Sequence, residues 1–445
     1  MFYRNILKNL QVWAESDYRK VLILRGARQV GKTTAVRMFS AEFDTFIELN
    51  MEIPEEKDIF DHFTNIQNLY NHILLKKQTK SQGERILLFI DEIQNSANAI
   101  RSLRFFYEQM PSLYVIASGS ILDIYLYKEK FEISVGRIDY LWMYPISFDE
   151  YLIASGNYRL LEEVQQKPIP EYIYPIIREH FLTYALIGGM PEAVKIWLDT
   201  KDIVQVQGYL DSLLQAYRDD VVKYAQTSDQ ALIIRHIMDT AFSEVCKQIS
   251  FEGFGSSSYR SQAIKNAFQI LERASIVTLL YPYTTMFLPA IPKRSKRPKL
   301  LFLDIGILNH QAKVMVEYFS TKSLDSIYKG TAMELLVGQM LTVMKAKQGF
   351  DFSFWKRDVR GSSAEIDYVI IYKGKMIPIE VKAGKTGTLK SLMLFMDKAP
   401  HNFAVRIYDG NYAVEELSTS SGKTFKLINI PLSLTFRLIE FIDSM

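Results

Sequence analysis

Two groups of residues in this chain have types and spacings suited to chemistry. The first is Gly26-Ala27-Arg28-Gln29-Val30-Gly31-Lys32-Thr33, followed by Thr34. Two glycines with four residues between them, closed by Lys-Thr, form a Walker A phosphate-binding pattern. The glycines let backbone N–H groups approach phosphate oxygens, Lys32 offers positive charge to β- and γ-phosphates, and the Thr33 hydroxyl suits Mg²⁺. Farther on, the apolar run Ile86-Leu87-Leu88-Phe89-Ile90 ends in Asp91-Glu92. In a Walker B reading Asp91 holds the Mg²⁺ and Glu92 polarises an attacking water; the alternative is an acidic pair that caps the next helix. A phosphate loop alone implies ATP binding, and the added Glu92 implies hydrolysis, with ATP and Mg²⁺ as cofactors.

The second group lies near the C-terminus. Glu365-Ile366-Asp367-Tyr368-Val369-Ile370-Ile371 and Met376-Ile377-Pro378-Ile379-Glu380-Val381-Lys382 read as two strands joined by a tight turn at Lys373-Gly374. That turn pairs Tyr372 with Lys375, which sets Asp367 opposite Glu380 and Glu365 opposite Lys382, all on one face. Facing carboxylates repel, an objection that a divalent cation held by Asp367 and Glu380 removes. Magnesium or manganese takes oxygen ligands, and Lys382 would then orient a water or stabilise developing negative charge. A surface hairpin whose charges pair through Glu365 and Lys382 is the alternative.

The elements that must position these groups follow from hydrophobic patterning. Val21-Leu22-Ile23-Leu24, Phe46-Ile47-Glu48-Leu49, the run before Asp91 and Tyr114-Val115-Ile116-Ala117 read as buried strands with helical patterns between them, the alternation of a doubly wound parallel α/β sheet. Tyr114 leads into Ser118-Gly119-Ser120, where a hydroxyl would sit beside Asp91. Residues 147–235 read mainly as helices, broken at Gly188-Gly189-Met190-Pro191. A helix over 262–274 and a strand over 276–281 suit a small winged-helix module, and mixed α/β patterning returns after Leu308. Lys293, Arg294, Lys296, Arg297 and Lys299 mark an exposed basic loop, either simply solvated or in contact with a phosphate backbone.

Composition narrows the classes. With 445 residues, 48% of them hydrophobic and 23% charged, two or three domains with real cores are expected. The net charge of +3 makes any nucleic-acid contact a matter of local patches. One cysteine, Cys246, excludes an internal disulfide and fits a reducing cytoplasm, and its expected role is packing. The sequence shows neither a secretory signal nor an apolar run long enough for a membrane span, and the six histidines lack zinc-site spacing.

Together the N-terminal motifs resemble the AAA-type P-loop ATPases, with Ser120 at the sensor position and Gly136-Arg137 near the usual place of an arginine finger. The resemblance implies charge stabilisation by Arg137 within the chain or across a homo-oligomer interface; a surface salt bridge is the competing reading. Gly188-Gly189-Met190-Pro191-Glu192, Leu303-Asp304-Ile305-Gly306 and Glu380-Val381-Lys382 resemble a bacterial and archaeal group of such ATPases whose C-terminal half is of unknown function. Asp367 with Glu380-Val381-Lys382 resembles the PD-(D/E)XK nucleases, with Glu334 where that superfamily often adds an acidic residue. That implies DNA as a partner, cleaved or only bound, while a nucleotide-switched regulator with an inactive nuclease-like module implies an unidentified protein partner. The helix pattern containing Gln that follows in some nucleases is not evident between Leu389 and Lys398. The expected organisation is an ATPase domain over residues 1–155, a helical and winged-helix region over 156–315, and a nuclease-like domain over 316–445.

Overall fold

The computed structural model describes residues 2–61, 65–80, 83–128, 136–315, 330–382, 384 and 389–444, so the expected domain start at residue 316 lies outside the described residues. The chain divides into two compact units, residues 1–146 with 273–275 and residues 147–272 with 276–445. In the first unit, strands β1 (Val21–Arg25), β2 (Thr45–Asn50), β3 (Ile86–Asp91), β4 (Tyr114–Ser118) and β5 (Ile138–Trp142) form a parallel sheet in the order β2-β3-β4-β1-β5. The unbroken apolar runs are what such a sheet requires, because helices such as Lys32–Phe39, Ile66–Lys76 and Ala97–Gln109 connect parallel strands and cover their faces. Ile23, Leu49, Leu88, Ile90, Leu103 and Phe106 are core residues there. Parallel strands all end at one edge, so Arg25, Asp91 and Ser118 arrive together, the place where open α/β sheets bind ligands.

The second unit begins with helices, among them Ile173–Ile187, Pro191–Thr200, Ile203–Tyr224 and Ser228–Thr240. Helix Ser261–Arg273 precedes β6 (Val277–Leu280), which pairs antiparallel with β7 (Lys299–Phe302). A six-stranded mixed sheet follows in the order β12-β13-β11-β10-β9-β8, comprising β8 (Asp351–Lys356), β9 (Glu365–Tyr372), β10 (Lys375–Lys382), β11 (Phe403–Tyr408), β12 (Ala413–Ser418) and β13 (Thr424–Pro431). Helix Thr331–Gln348 lies against it, and at Gly338 an added Cβ would stand 2.5 Å from the Tyr368 hydroxyl. The hairpin turn is where the sequence puts it: Lys373 (φ 45°) and Gly374 (φ 72°) are both left-handed, and the ladder runs from Lys375 opposite Tyr372 to Ile379 opposite Tyr368.

Two expectations need correction. Glu365 does not pair with Lys382: β10 leaves β9 after Ile379 to run parallel with β11, while Glu365 pairs along β8 with Lys356. Lys299, counted with the exposed basic loop, is the first residue of β7 and only 1% exposed. β7 is bridged by Gln248 and paired with β6, and the Lys299 side chain is turned into the protein by the carboxylates of Glu334 and Glu365.

The Gly188-Gly189 break is more than an interhelical turn. Asp304 caps helix Ile305–Gln311 by accepting Gly306 N (2.9 Å) and Ile307 N (3.3 Å), and it also accepts Gly189 N at 2.7 Å. Gly188 has φ 77°, and a Cβ there would stand 2.1 Å from Asp304 Oδ1. Asn309 donates to the carbonyls of Ala185 (2.8 Å) and Leu186 (2.9 Å) at the end of helix Ile173–Ile187. The Gly188-Gly189 and Leu303-Asp304-Ile305-Gly306 motifs are therefore the two halves of one lock.

Candidate functional site

The phosphate loop joins β1 to helix Lys32–Phe39. Gly31 caps that helix at φ 96°, and Gly26 (φ 143°) lies so near β5's exit that a Cβ would meet the Met143 carbonyl oxygen at 2.2 Å. Ala27 and Val30 are buried, Arg28 is half-buried, and Gln29 is exposed with φ 62°, so the loop turns on positive φ at Gly26, Gln29 and Gly31. Lys32 is buried and donates to the carbonyls of Gly26 (3.0 Å) and Ala27 (2.9 Å). Burial lowers its pKa to about 8, against the pull of Glu92 and Asp91. Thr34, the next helical residue, is exposed.

Asp91 is the hub. Its Oδ2 accepts the Thr33 hydroxyl at 2.6 Å, its Oδ1 accepts the Ser118 hydroxyl from the end of β4, and Glu92 N also reaches Oδ1 at 3.0 Å. A hydroxyl and a carboxylate in contact are the hard oxygen donors that Mg²⁺ prefers, so Thr33 and Asp91 fit the ion. Glu92 follows in a left-handed conformation (φ 49°), and burial raises its pKa. Gln94 donates to Glu92 Oε2 at 2.5 Å and is itself buried, with its amide oxygen 2.1 Å from where a Gly119 Cβ would stand. Gln94 was not foreseen, because nothing in its spacing marks it. Its role depends on Gly119 admitting it. Ser120 lies two residues past the Ser118 that touches Asp91, half-buried.

Arg137 is placed elsewhere. It immediately precedes β5, whose first residue Ile138 stands opposite Val21 at the start of β1, whereas the phosphate loop follows the end of β1. A five-residue strand puts roughly 16 Å between those edges. Arg137, 40% exposed in its side chain, pairs with Glu108 at 2.9 Å. Within one chain it is not part of the phosphate site, because it sits at the opposite edge of the sheet.

The C-terminal residues do converge. Asp367 accepts Val381 N at 2.8 Å, and Lys382, 26% exposed in its side chain, donates to Glu380 Oε1 at 2.6 Å. Lys299 donates to Glu334 Oε1 at 2.6 Å and pairs with Glu365 Oε1 at 2.9 Å. Gln248 also donates to Glu365. Burial raises Asp367 and lifts Glu380 to about 7, whereas for Lys299 the carboxylates of Glu334, Glu365 and Asp367 outweigh burial and hold it charged. Glu380 Oε2 is buried with no hydrogen-bond partner among the described residues. Among those residues no group of three or more His, Cys, Asp or Glu side chains is arranged to hold a metal. The basic loop nearby is partly neutralised, since Lys293 and Lys296 both reach Asp358 at 2.6 Å.

The first unit thus carries the P-loop NTPase fold, with the Walker A loop, Asp91 and Ser118 brought together at one edge of its sheet. Residues 18–152 match a family model described as an AAA domain. Residues 178–317 and 329–432 match two models described as domains of unknown function (DUF8612 and DUF4143). No curated protein matches the chain significantly. Among solved structures, the Walker-type ATPase PABY2304 of Pyrococcus abyssi is 14% identical, with 70% of this chain and 96% of that one covered and a TM-score of 0.43. The ORC2 protein of Aeropyrum pernix is 12% identical, covering 72% and 96% with a TM-score of 0.36. The RuvB Holliday junction branch migration motor of Thermotoga maritima is 11% identical, covering 66% and 93% with a TM-score of 0.28. No helix among the described residues is long and apolar enough to cross a membrane.

Proposed function

We propose that this chain is a Mg²⁺-dependent ATPase whose nucleotide state controls a C-terminal nuclease-like module that engages DNA, with residues 156–315, winged-helix-like in part, as the connecting region. The observation that carries the reading is Asp91 accepting both Thr33 (2.6 Å) and Ser118 while Glu92 stands beside it. Backbone amides of residues 26–34 and Lys32 bind the phosphates, and Ser120 serves as the sensor. Mg²⁺ held by Thr33 and Asp91 neutralises phosphate charge when bound. Glu92 orients a water and takes its proton, and the burial that raises its pKa suits it to that transfer. In a homo-oligomer, Arg137 of one chain would serve the phosphates of its neighbour.

For the C-terminal module, metal-dependent cleavage by Asp367, Glu380 and Lys382 was the sequence's first suggestion. The closed Lys382–Glu380 pair and the buried Lys299 favour the second reading, binding without cleavage. The test is release of phosphate from Mg²⁺-ATP with and without DNA. The parent is expected to turn over; Lys32→Ala should not, and Glu92→Gln should bind ATP yet hydrolyse about 10²–10⁴-fold more slowly. Equal turnover in all three sinks the ATPase assignment. Turnover and affinity both indifferent to DNA sink the DNA partner and point to a protein in its place.

A further inference from the structure

Lys299 behaves unlike the other lysines of its run. Lys293 and Lys296 reach outward to Asp358, whereas Lys299, one strand position inside the protein, turns inward. Its backbone pairs with Leu280 and is bridged to Gln248, and its side chain takes the buried face. There the ammonium meets Glu334 Oε1 at 2.6 Å, Glu365 Oε1 at 2.9 Å and the Asp367 carbonyl oxygen at 3.5 Å. Oxygens from three residues on two elements converge on one cation. Glu334 comes from the first turn of helix Thr331–Gln348, and Glu365 and Asp367 come from β9. The remaining carboxylate, Glu380, has one oxygen on Lys382 and the other, Oε2, buried without a partner.

Carboxylates gathered this closely need a cation, and carboxylate and carbonyl oxygens are the ligands that a hard divalent ion takes. We infer that Lys299 is the resident cation of this cluster, its ammonium standing in for a divalent metal and keeping one out. The module then engages its partner without metal-dependent cleavage, and Lys299 is the residue that sets that outcome. The inference deepens the binding-without-cleavage reading above and rests on it.

The experiment is a Mn²⁺ titration of the full chain without nucleotide, with unbound Mn²⁺ followed by electron paramagnetic resonance. The parent, Glu380→Gln, Lys299→Met and Lys299→Met with Glu380→Gln are compared, so uptake at the ATP site, common to all four, cancels. Parent and Glu380→Gln should bind alike. Lys299→Met should gain a site about tenfold or more tighter than anything in the parent, lost again when Glu380→Gln is added. Glu380-dependent Mn²⁺ uptake by the parent overturns the inference, as does a folded Lys299→Met chain that gains no site. Should Lys299→Met fail to fold, Lys299→Met with Glu334→Gln removes one charge of each sign, and a smaller gain that still depends on Glu380 is expected, because one anionic ligand is gone. If neither variant folds, the comparison of parent with Glu380→Gln decides alone. DNA binding by the parent is measured separately, so failure of the binding reading and failure of this inference show up in different assays.

Discussion

Asp304→Ala should destabilise the second unit more than any change at the phosphate site destabilises the first. The carboxylate is 1% exposed and accepts three backbone N–H groups, from Gly189 (2.7 Å), Gly306 (2.9 Å) and Ile307 (3.3 Å). Hydrogen bonds to a charged acceptor contribute roughly 1.5–3 kcal/mol each, so the three amount to about 5–9 kcal/mol. Burial opposes them and outweighs all three in setting the carboxyl's pKa, which stands at about 6 rather than 3.8. Asp304→Ala leaves three N–H groups without their acceptor, each costing about 1–3 kcal/mol where it stays buried, so a net loss of about 2 kcal/mol or more is expected, a large part of a typical domain's stability. Asp304→Asn keeps an acceptor oxygen and should cost less. The raised pKa also fixes a pH dependence. Between about 4 and 6 the native state holds the proton that the unfolded chain has released, so this residue's contribution falls by about 3 kcal/mol as pH rises through that window and is level above it. Urea unfolding of the full chain reads both effects, and ATP, by shifting the first unit's transition, identifies the other. A loss under about 1 kcal/mol for Asp304→Ala, or an unchanged pH slope in Asp304→Asn, would refute the lock.

Three further outcomes are expected. Gln94→Ala removes the hydrogen bond that holds the Glu92 pKa down, so the acid limb of the kcat profile should move to higher pH; an unmoved limb would deny Gln94 its positioning role. Thr33→Ala should raise the Mg²⁺ concentration needed for half-maximal turnover, because one of the two oxygen donors is lost, and an unchanged Mg²⁺ requirement would remove Thr33 from the metal site. Arg137→Ala breaks an exposed ion pair and should change stability by no more than about 1 kcal/mol. If Arg137 acts across an interface, its loss lowers turnover about 10³-fold or more, and mixing with Lys32→Ala chains restores part of it; equal turnover with and without Arg137 ends that role.

What the sequence discloses, and what it hides, divides along the range of the interactions. The phosphate loop, the strands β1 to β4 and the Lys373-Gly374 turn are legible because each rests on local physics: positive φ at particular positions, apolar runs of strand length, a glycine where the chain turns. The cross-strand ladder is legible as far as Ile379 opposite Tyr368, since a two-residue turn dictates register. It fails at Glu365 because beyond that point β9 stays paired with β8, reached through a longer loop, while β10 turns to β11, reached past the helix Lys390–Lys398, and no two-residue turn rule covers either. Arg137 misleads for a related reason. Its neighbourhood to an aromatic segment is visible, yet the end of the sheet on which it lies follows only from the parallel pairing of β5 with β1. Lys299 is the sharpest case. Its place in a run of basic residues argues for solvent, and the apolar Leu300-Leu301-Phe302 behind it argues for a strand start; the second signal decides, because a residue that begins a buried strand takes its surroundings from the sheet. Three oxygen donors brought from a helix and from β9 then fix its charge. A lysine in that position is tolerable only because the carboxylates are there, and the carboxylates are tolerable only because the lysine is, so neither half of the cluster can be read without the other.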